Sequence, residues 1–586
     1  MSAAFDASPA PVLPVPAVPE GWAGQVLSVL ARNWAISLTL LCLVLWTPGI
    51  ATLPPIDRDE SRFAEASRQM LESHDFIDIK FGHVPRYQKP VGIYWVQSLT
   101  TVVAGLGNDS HIWTYRSASL LGGILAVLLC FWCARAFALP EVAWLAGALM
   151  GTSLLLTAEA TMATTDACQL ACVMGSVGVL MRVWLATRPG SAHVMPSTGL
   201  ILAGWAAFAA GILIKGPVVP GVCAVTVLAL IAWQRGAWRW LAALRPLYGL
   251  LLALAIDLPW LVTIGIQSHG AFYQQSLGHD FAAKLAGGQE SHGAPPGLYL
   301  ALVTLTFWPA ILFVVPGLGA AIRNRADAAS RFLLCWAGAS WLMIEIVPTK
   351  LPNYILPAYP PLAMLAALWM LWPRDETAPR WQAVLGWLSA VQFAIGAAAL
   401  AAAPILVTSK YANGTPWWLI ALAAVSGLLA LAALITYLQA SKVGAFLLAS
   451  LAVLVAYPTL TVGAAPRLER IWISPRAAQL LAKYAQSGDP PPIAAGYTEP
   501  SLMFATSSET RLTDGEGAAE AGAYQGGLAL IEDSERSSFL AHLAELQTDA
   551  QMLDHLDGID YTHGHPVHIT LYRVTATHDI MVPPAE

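Results

Sequence analysis

The chain has 586 residues, of which 56% are hydrophobic and only 12% charged, with 23 tryptophans and a formal net charge of −6. So apolar a composition excludes a conventional water-soluble protein and leaves a polytopic membrane protein. Its apolar runs are long enough for helical spans, about 17 to 25 residues, and do not alternate as barrel strands would.

Residues 1–32 form a Pro- and Ala-rich tail with almost no positive charge, expected in the cytoplasm, and Trp34 to Ala51 reads as an uncleaved first helix. A first outer loop of about 52–112 follows. It contains a charged block from Pro55 to Pro90 and an apolar stretch, Val91 to Gly105, expected to lie against the outer face without crossing. Further helices are predicted over 117–134, 141–157, 166–186, 199–214, 217–234, 246–264, 298–320, 332–347, 353–372, 383–407, 416–437 and 444–463. This gives about 13 spans and puts the loops holding Arg135, Arg182 and Arg188, Arg235 to Arg245, Arg323 to Arg331, Arg374 and Arg380, and Lys442 on one side, as short cytoplasmic loops require.

A membrane domain over 33–465 then gives way to 466–586, acidic on balance. Leu528–Ile531 and His568–Val574 read as strands, Ser537–Gln547 as a helix and the Gly/Ala-rich Gly515–Gly527 as a loop, together a small α/β domain. The odd number of spans puts it outside the cytoplasm with the charged block, and its acidity argues against nucleic acid as a partner. All seven cysteines fall in predicted spans, so Cys130-x-x-Cys133 reads as core packing.

Within the charged block, Asp59-Glu-Ser-Arg-Phe-Ala-Glu-Ala-Ser-Arg predicts an amphipathic helix at the membrane surface. Phe63, Ala66, Met70 and Leu71 share its apolar side, while Arg62, Glu65 and Arg68 take other faces. Asp59 at its start serves equally as a helix cap or as a catalytic carboxylate. Asp166 after Thr164-Thr165 is a second acid at the outer end of a span, again a cap or a functional group. Lys89 in Gln-Lys-Pro, Lys215 in Ile-Lys-Gly-Pro and Lys350 in Thr-Lys-Leu-Pro-Asn-Tyr354 oppose the positive-inside trend. Cations on that side suit an anionic ligand such as a phosphate headgroup, although each alone also suits a snorkelling anchor.

In order along the chain, the Asp59-Glu-Ser-Arg-Phe-Ala-Glu helix, Lys89-Pro, Thr165-Asp-Ala, Lys215-Gly-Pro and Lys350-Leu-Pro-Asn-Tyr-Ile-Leu-Pro resemble the bacterial aminoarabinose lipid A transferases. These are protein O-mannosyltransferase-related, C-type glycosyltransferases. The resemblance implies a multi-pass protein of the bacterial inner membrane, with about 13 helices and both its active site and C-terminal domain periplasmic. It implies inverting transfer of a sugar from a polyprenyl (undecaprenyl) phosphate donor to a lipid or glycan acceptor: 4-amino-4-deoxy-L-arabinose to lipid A, or a hexose or mannose to another glycolipid, polysaccharide or protein. Asp59 and Asp166 are the expected catalytic residues, and Arg62, Lys89, Lys215, Lys350, Tyr354 and Glu60 the expected phosphate and substrate ligands.

The family also holds a divalent metal through a Glu before the Lys-Pro lysine and a later histidine. Gln88, a poor metal ligand, stands at that Glu position, so no cofactor is required by this sequence, while a divalent metal stays open: His279 and His292 could each bind metal, contact substrate or face water. A secondary transporter or flippase, the competing class, predicts an internal repeat and midplane charge, neither of which the chain shows.

Overall fold

A computed structural model describes residues 17–105, 111–234, 237–281, 294–373 and 379–577, without the side chains of 277 and 279–281. His292 therefore lies outside the described residues, as does the side chain of His279.

The first half of the bundle runs α1 (Trp22–Arg32), α2 (Trp34–Thr52), α3 (Asp59–Ser73), α4 (Gly92–Val103), α5 (Ile112–Ala134), α6 (Pro140–Gly151), α7 (Leu154–Ala160), α8 (Asp166–Ala186), α9 (Thr198–Lys215), α10 (Val218–Trp233) and α11 (Pro246–Gln267). Six further helical stretches complete the membrane part: Leu298–Arg323, broken after Thr306, then Ala328–Ile346, Pro352–Leu371, Arg380–Tyr411, Trp417–Leu438 and Lys442–Pro458. Among the described residues, nine helices are long and apolar enough to cross a membrane, or ten if the bent α6–α7 pair is one span. Each run predicted as a span has a helical counterpart, although α10 and Ile311–Arg323 are short.

The tail is not without structure: Trp22–Arg32 is helical, with Ala23, Leu27 and Ala31 buried. At one end of the bundle the cationic loops meet. Arg188 stacks on Trp184 at 4.8 Å, and Arg331, from a different loop, lies 5.9 Å from the Trp233 ring.

At the opposite end sit α3 and α4. The α4 helix has 12 residues, about 18 Å of rise, too short to span the hydrocarbon core. It fits directly against α9 because Gly92 has no side chain: a Cβ there would come within 2.8 Å of the Leu213 carbonyl. A similar close approach joins α5 to α8, where a Cβ on Gly122 would meet the Cys168 backbone at 2.8 Å. The described cysteines are free, with Cys130 and Cys133 buried in the apolar core.

The surface-helix expectation for α3 needs correction. Phe63, Ala66 and Met70 are buried as the pattern predicts, but so are Glu65 and Arg68, because a second layer covers the polar face. That layer is the C-terminal domain, whose five strands are β3 (Ile493–Ala495), β4 (Arg511–Thr513), β5 (Gly527–Glu532), β6 (Ala550–Asp560) and β7 (His565–Val574), after a two-residue pair β1 (Lys80–Phe81) and β2 (Val84–Pro85) in the first loop.

The sheet order is β4-β3-β5-β7-β6, parallel among β4, β3 and β5 and antiparallel thereafter, with apolar clusters on both faces. Gly515–Gln525 is a helix and not a loop. Alanine supplies helix propensity, and Asp514 caps it by accepting from the Gly517 N–H at 2.8 Å.

Candidate active site

The chemistry-bearing residues converge where α3, α4, α7, α8 and α9 meet. Glu60, in the first turn of α3, is 2% exposed and receives two hydrogen bonds from Arg116, Nε to Oε1 at 2.7 Å and Nη2 to Oε2 at 2.8 Å. Its oxygens also accept from the N–H groups of Ala163 (2.7 Å) and Ile56 (2.9 Å). Arg116, fully buried, spends its remaining donors on the carbonyls of Ile50, Leu53 and Pro54. Glu60 is therefore a clamp between α2, α3, α5 and the Asp166 loop, which corrects its expected role as a substrate ligand. Every lone pair that it could offer is already committed inside the protein.

That clamp sets the chain on either side of it. Asp59, one residue earlier, is exposed, and the position before it, Arg58, has the left-handed φ of 65° that a non-glycine residue adopts only when held. The holding contacts come from the C-terminal domain: the Asp57 N–H donates to the Tyr561 hydroxyl at 2.7 Å, and Arg58 Nη2 donates to the Thr562 carbonyl at 3.0 Å. Asp57 itself is half-buried beside Glu499 and Asp560, and loss of solvent, reinforced by their charge, pushes its carboxyl up to about 7 against the pull of hydrogen bonds from Ser501 and Tyr561. Arg62, half-buried on α3, makes no ion pair or side-chain hydrogen bond among the described residues.

Asp166 begins α8 without capping it. Its two oxygens instead accept from Lys215 Nζ at 2.6 and 2.7 Å, closing the C-terminus of α9 onto the N-terminus of α8. Lys215 also lies 5.4 Å from the centre of the Tyr354 ring, and its third N–H has no described partner. Buried Glu159, at the end of α7, accepts from Thr164 at 2.7 Å and lies within electrostatic reach of Asp166, Lys215 and Asp59. So Asp59, Asp166, Lys215 and Tyr354 share one neighbourhood.

Lys350 does not join them. Its ammonium is buried, donating to the carbonyls of Glu345 (2.6 Å) and Val347 (3.0 Å), with the Glu345 carboxylate at 3.5 Å. A lysine so enclosed holds the turn before Pro352 and has no donor left for a phosphate, a correction to the expected ligand set.

Lys89, in the loop leading into α4, is half-buried, and Gln88 beside it accepts from Arg86 Nη1 at 3.1 Å. Arg86 is 7% exposed, packs over the Phe63 ring at 5.2 Å and lies beside Tyr94. A neutral amide already bound to a cation does not fit the divalent-metal site that the family resemblance implies.

Sequence reasoning missed Arg86, Tyr94, Arg116 and Glu159. Arg116 and Glu159 were readable in principle, since each is an ionisable residue just beyond the end of a run taken as a span. Arg86 carried no such signal, because it stands among other charges.

Comparison with known proteins agrees with this architecture. The family pattern described as dolichyl-phosphate-mannose-protein mannosyltransferase matches residues 88–262. The undecaprenyl phosphate-alpha-4-amino-4-deoxy-L-arabinose arabinosyl transferase of Edwardsiella ictaluri is 31% identical over 332 residues, 56% of this chain and 57% of that protein. The alignment thus spans little more than half of that relative's length.

The crystal structure of ArnT from Cupriavidus metallidurans in the apo state superposes with a TM-score of 0.71 over 92% of this chain and 98% of that one, at 19% identity. The same protein bound to undecaprenyl phosphate gives 0.66 at 20% identity, over the same shares of the two chains. The resemblance carried by the ordered motifs thus extends to the fold of nearly the whole chain, a multi-pass helical membrane protein with a small C-terminal sheet domain, similar in sequence and architecture to the aminoarabinose transferases.

Proposed function

We propose that this chain is a glycosyltransferase of the bacterial inner membrane, moving a sugar from an undecaprenyl phosphate donor to an acceptor at the periplasmic face. The preferred reaction is 4-amino-4-deoxy-L-arabinose onto lipid A. The observation that carries this reading is the meeting of exposed Asp59 with the Asp166–Lys215 pair and Tyr354 at one end of the bundle.

The chemistry suits those groups. In a single displacement the acceptor oxygen bonds to the anomeric carbon as the bond to the phosphate oxygen breaks, so negative charge grows on a leaving phosphate. Arg62, Lys89 and the free N–H of Lys215 supply fixed positive charge where it develops. Asp166 holds the Lys215 ammonium in place. An acceptor phosphate is already nucleophilic, so Asp59 orients it or the donor sugar, whereas a hydroxyl acceptor would need Asp59 as its base. Transfer of a hexose or mannose to another glycolipid, polysaccharide or protein is the second reading, favoured by Gln88, at which this chain departs from the aminoarabinose pattern.

The experiment is mass spectrometry of lipid A and envelope glycans from cells with the wild-type gene, with none, and with Asp59→Asn. Added aminoarabinose that disappears in the last two supports the preferred reaction. A hexose change in another glycan supports the second reading. Identical glycans in all three overturn both.

A further inference from the structure

We propose that the hairpin turn between β6 and β7 is a binding site for a divalent transition-metal ion of the zinc class, formed by Asp560, His563 and His565 with Glu499 as fourth ligand. The turn reads Asp560-Tyr-Thr-His-Gly-His565. Asp560 and His565 are directly opposite each other in the antiparallel ladder, so their side chains share a face, and Gly564, at φ 79°, folds His563 back over the same spot. One potential ligand atom from each of the three lies within 4.8 Å of the others. His563 Nδ1 is 2.7 Å from Asp560 Oδ2 and 3.5 Å from Glu499 Oε1. Two imidazoles and two carboxylates make a donor set typical of a four-coordinate zinc-class ion.

The groups behind these donors are placed as the outer shell of a metal centre. His565 Nδ1 lies 3.1 Å from the Pro566 carbonyl, which can only accept, so Nδ1 carries the proton and Nε2 keeps the lone pair. The Thr562 hydroxyl lies 2.5 Å from Glu499 Oε1 and 2.7 Å from Asp560 Oδ1 and donates its one proton to either, while the Thr562 N–H donates to Asp560 Oδ1 at 2.8 Å.

Charge makes the same demand. Asp560 and Glu499 are each 6% exposed, Asp57 is packed beside them, and the one ion-pair partner that Asp560 or Glu499 has among the described residues is half-exposed His563. A dication at the turn neutralises this crowded carboxylate cluster.

The site's position gives it a consequence. Tyr561 and Thr562, inside the same turn, are the residues that hold Asp57 and Arg58, immediately before Asp59. A metal that stiffens the turn therefore fixes the entry to α3. That consequence for transfer rests on the proposed function, while metal binding itself does not.

The test uses the full chain purified in detergent, stripped with chelator, reloaded with Zn²⁺ and desalted, with bound metal counted by plasma mass spectrometry. The H563A/H565A double variant and D560N are compared with wild type, with exposed His83→Ala as a control. Wild type and H83A should retain one equivalent more than the double variant, and D560N should bind at least about tenfold more weakly. Loading with Co²⁺ should give wild type the visible absorption of a tetrahedral N/O site that the double variant lacks, and equal melting temperatures of the stripped proteins establish that both are folded. Equal zinc retention by wild type and double variant, or loss of the same equivalent in H83A, overturns the proposal. Zinc bound at the turn by a protein that transfers no sugar upholds the site and defeats the transferase reading, so the two fail separately.

Discussion

Arg68 on α3 reaches across the membrane-domain boundary to Phe504 of the C-terminal domain, donating to its carbonyl at 3.0 Å while its guanidinium lies 5.3 Å from the centre of the same residue's ring. It also donates to the Met503 carbonyl at 3.1 Å and pairs with Glu65 at 2.6 Å. The C-terminal domain is thus fastened to the helix that begins with Asp59. Arg68→Ala is expected to loosen that fastening and leave Glu65 as a buried, unpaired carboxyl. Hydrogen exchange around residues 500–506 should rise in the variant; unchanged protection there would show that the contact does not hold the domain.

The Glu60–Arg116 pair predicts a different kind of damage. Removing one partner of a buried ion pair strands the other, at about 3–5 kcal/mol. Arg116→Ala should therefore melt well below wild type in detergent and lose yield before any question of activity arises. A loss under about 1 kcal/mol would mean that water reaches the pair, contrary to its burial.

Asp166→Asn and Lys215→Met are expected to fold and yet lose transfer by about 100-fold or more, the usual effect of removing a group that stabilises developing charge. Because the two side chains act as one unit, the double variant should be little worse than either single one. Kinetics with a purified undecaprenyl phosphate sugar would show this; multiplying losses would assign them separate tasks.

The C-terminal domain should weaken in acid through two of its ion pairs, Arg573–Asp489 and Lys483–Asp554. Arg573 grips Asp489 at 3.0 and 3.2 Å and holds its carboxyl below the usual carboxylate range, and Lys483 with its neighbours brings Asp554 to about 2. A carboxylate whose folded pKa is depressed stabilises fully above its ordinary pKa of about 3.9 and loses that contribution as pH falls through the folded value. Domain stability should therefore fall between about pH 4 and pH 2, and less steeply in Asp489→Asn, as followed by circular dichroism during acid titration. Identical slopes would remove the pair from the account.

The bundle was legible because hydropathy and loop charge are properties of single segments. The same locality made β5, β7 and the Asp533–Glu545 helix readable. Asp59, Asp166 and Lys215 could be named from scarce charge at span ends, but not their pairing: nothing local distinguishes Lys215, which meets Asp166, from Lys350, which is enclosed by Glu345 and Val347. The burial of Glu65 and Arg68 was hidden for the same reason, since their cover comes from residues 503 and 504. Gly515–Gln525 was misread because glycine count was weighed above alanine propensity and the Asp514 cap.

The grip of Tyr561 and Thr562 on Asp57 and Arg58 joins positions 504 residues apart. A ribosome delivers the first of these partners long before the second, with the whole membrane bundle inserted in between. The helix that starts at Asp59 therefore waits for this restraint until the β6–β7 turn has emerged. A chain cut short before the β6–β7 turn would carry every residue of the proposed reaction centre and still lack the restraint that sets Asp59.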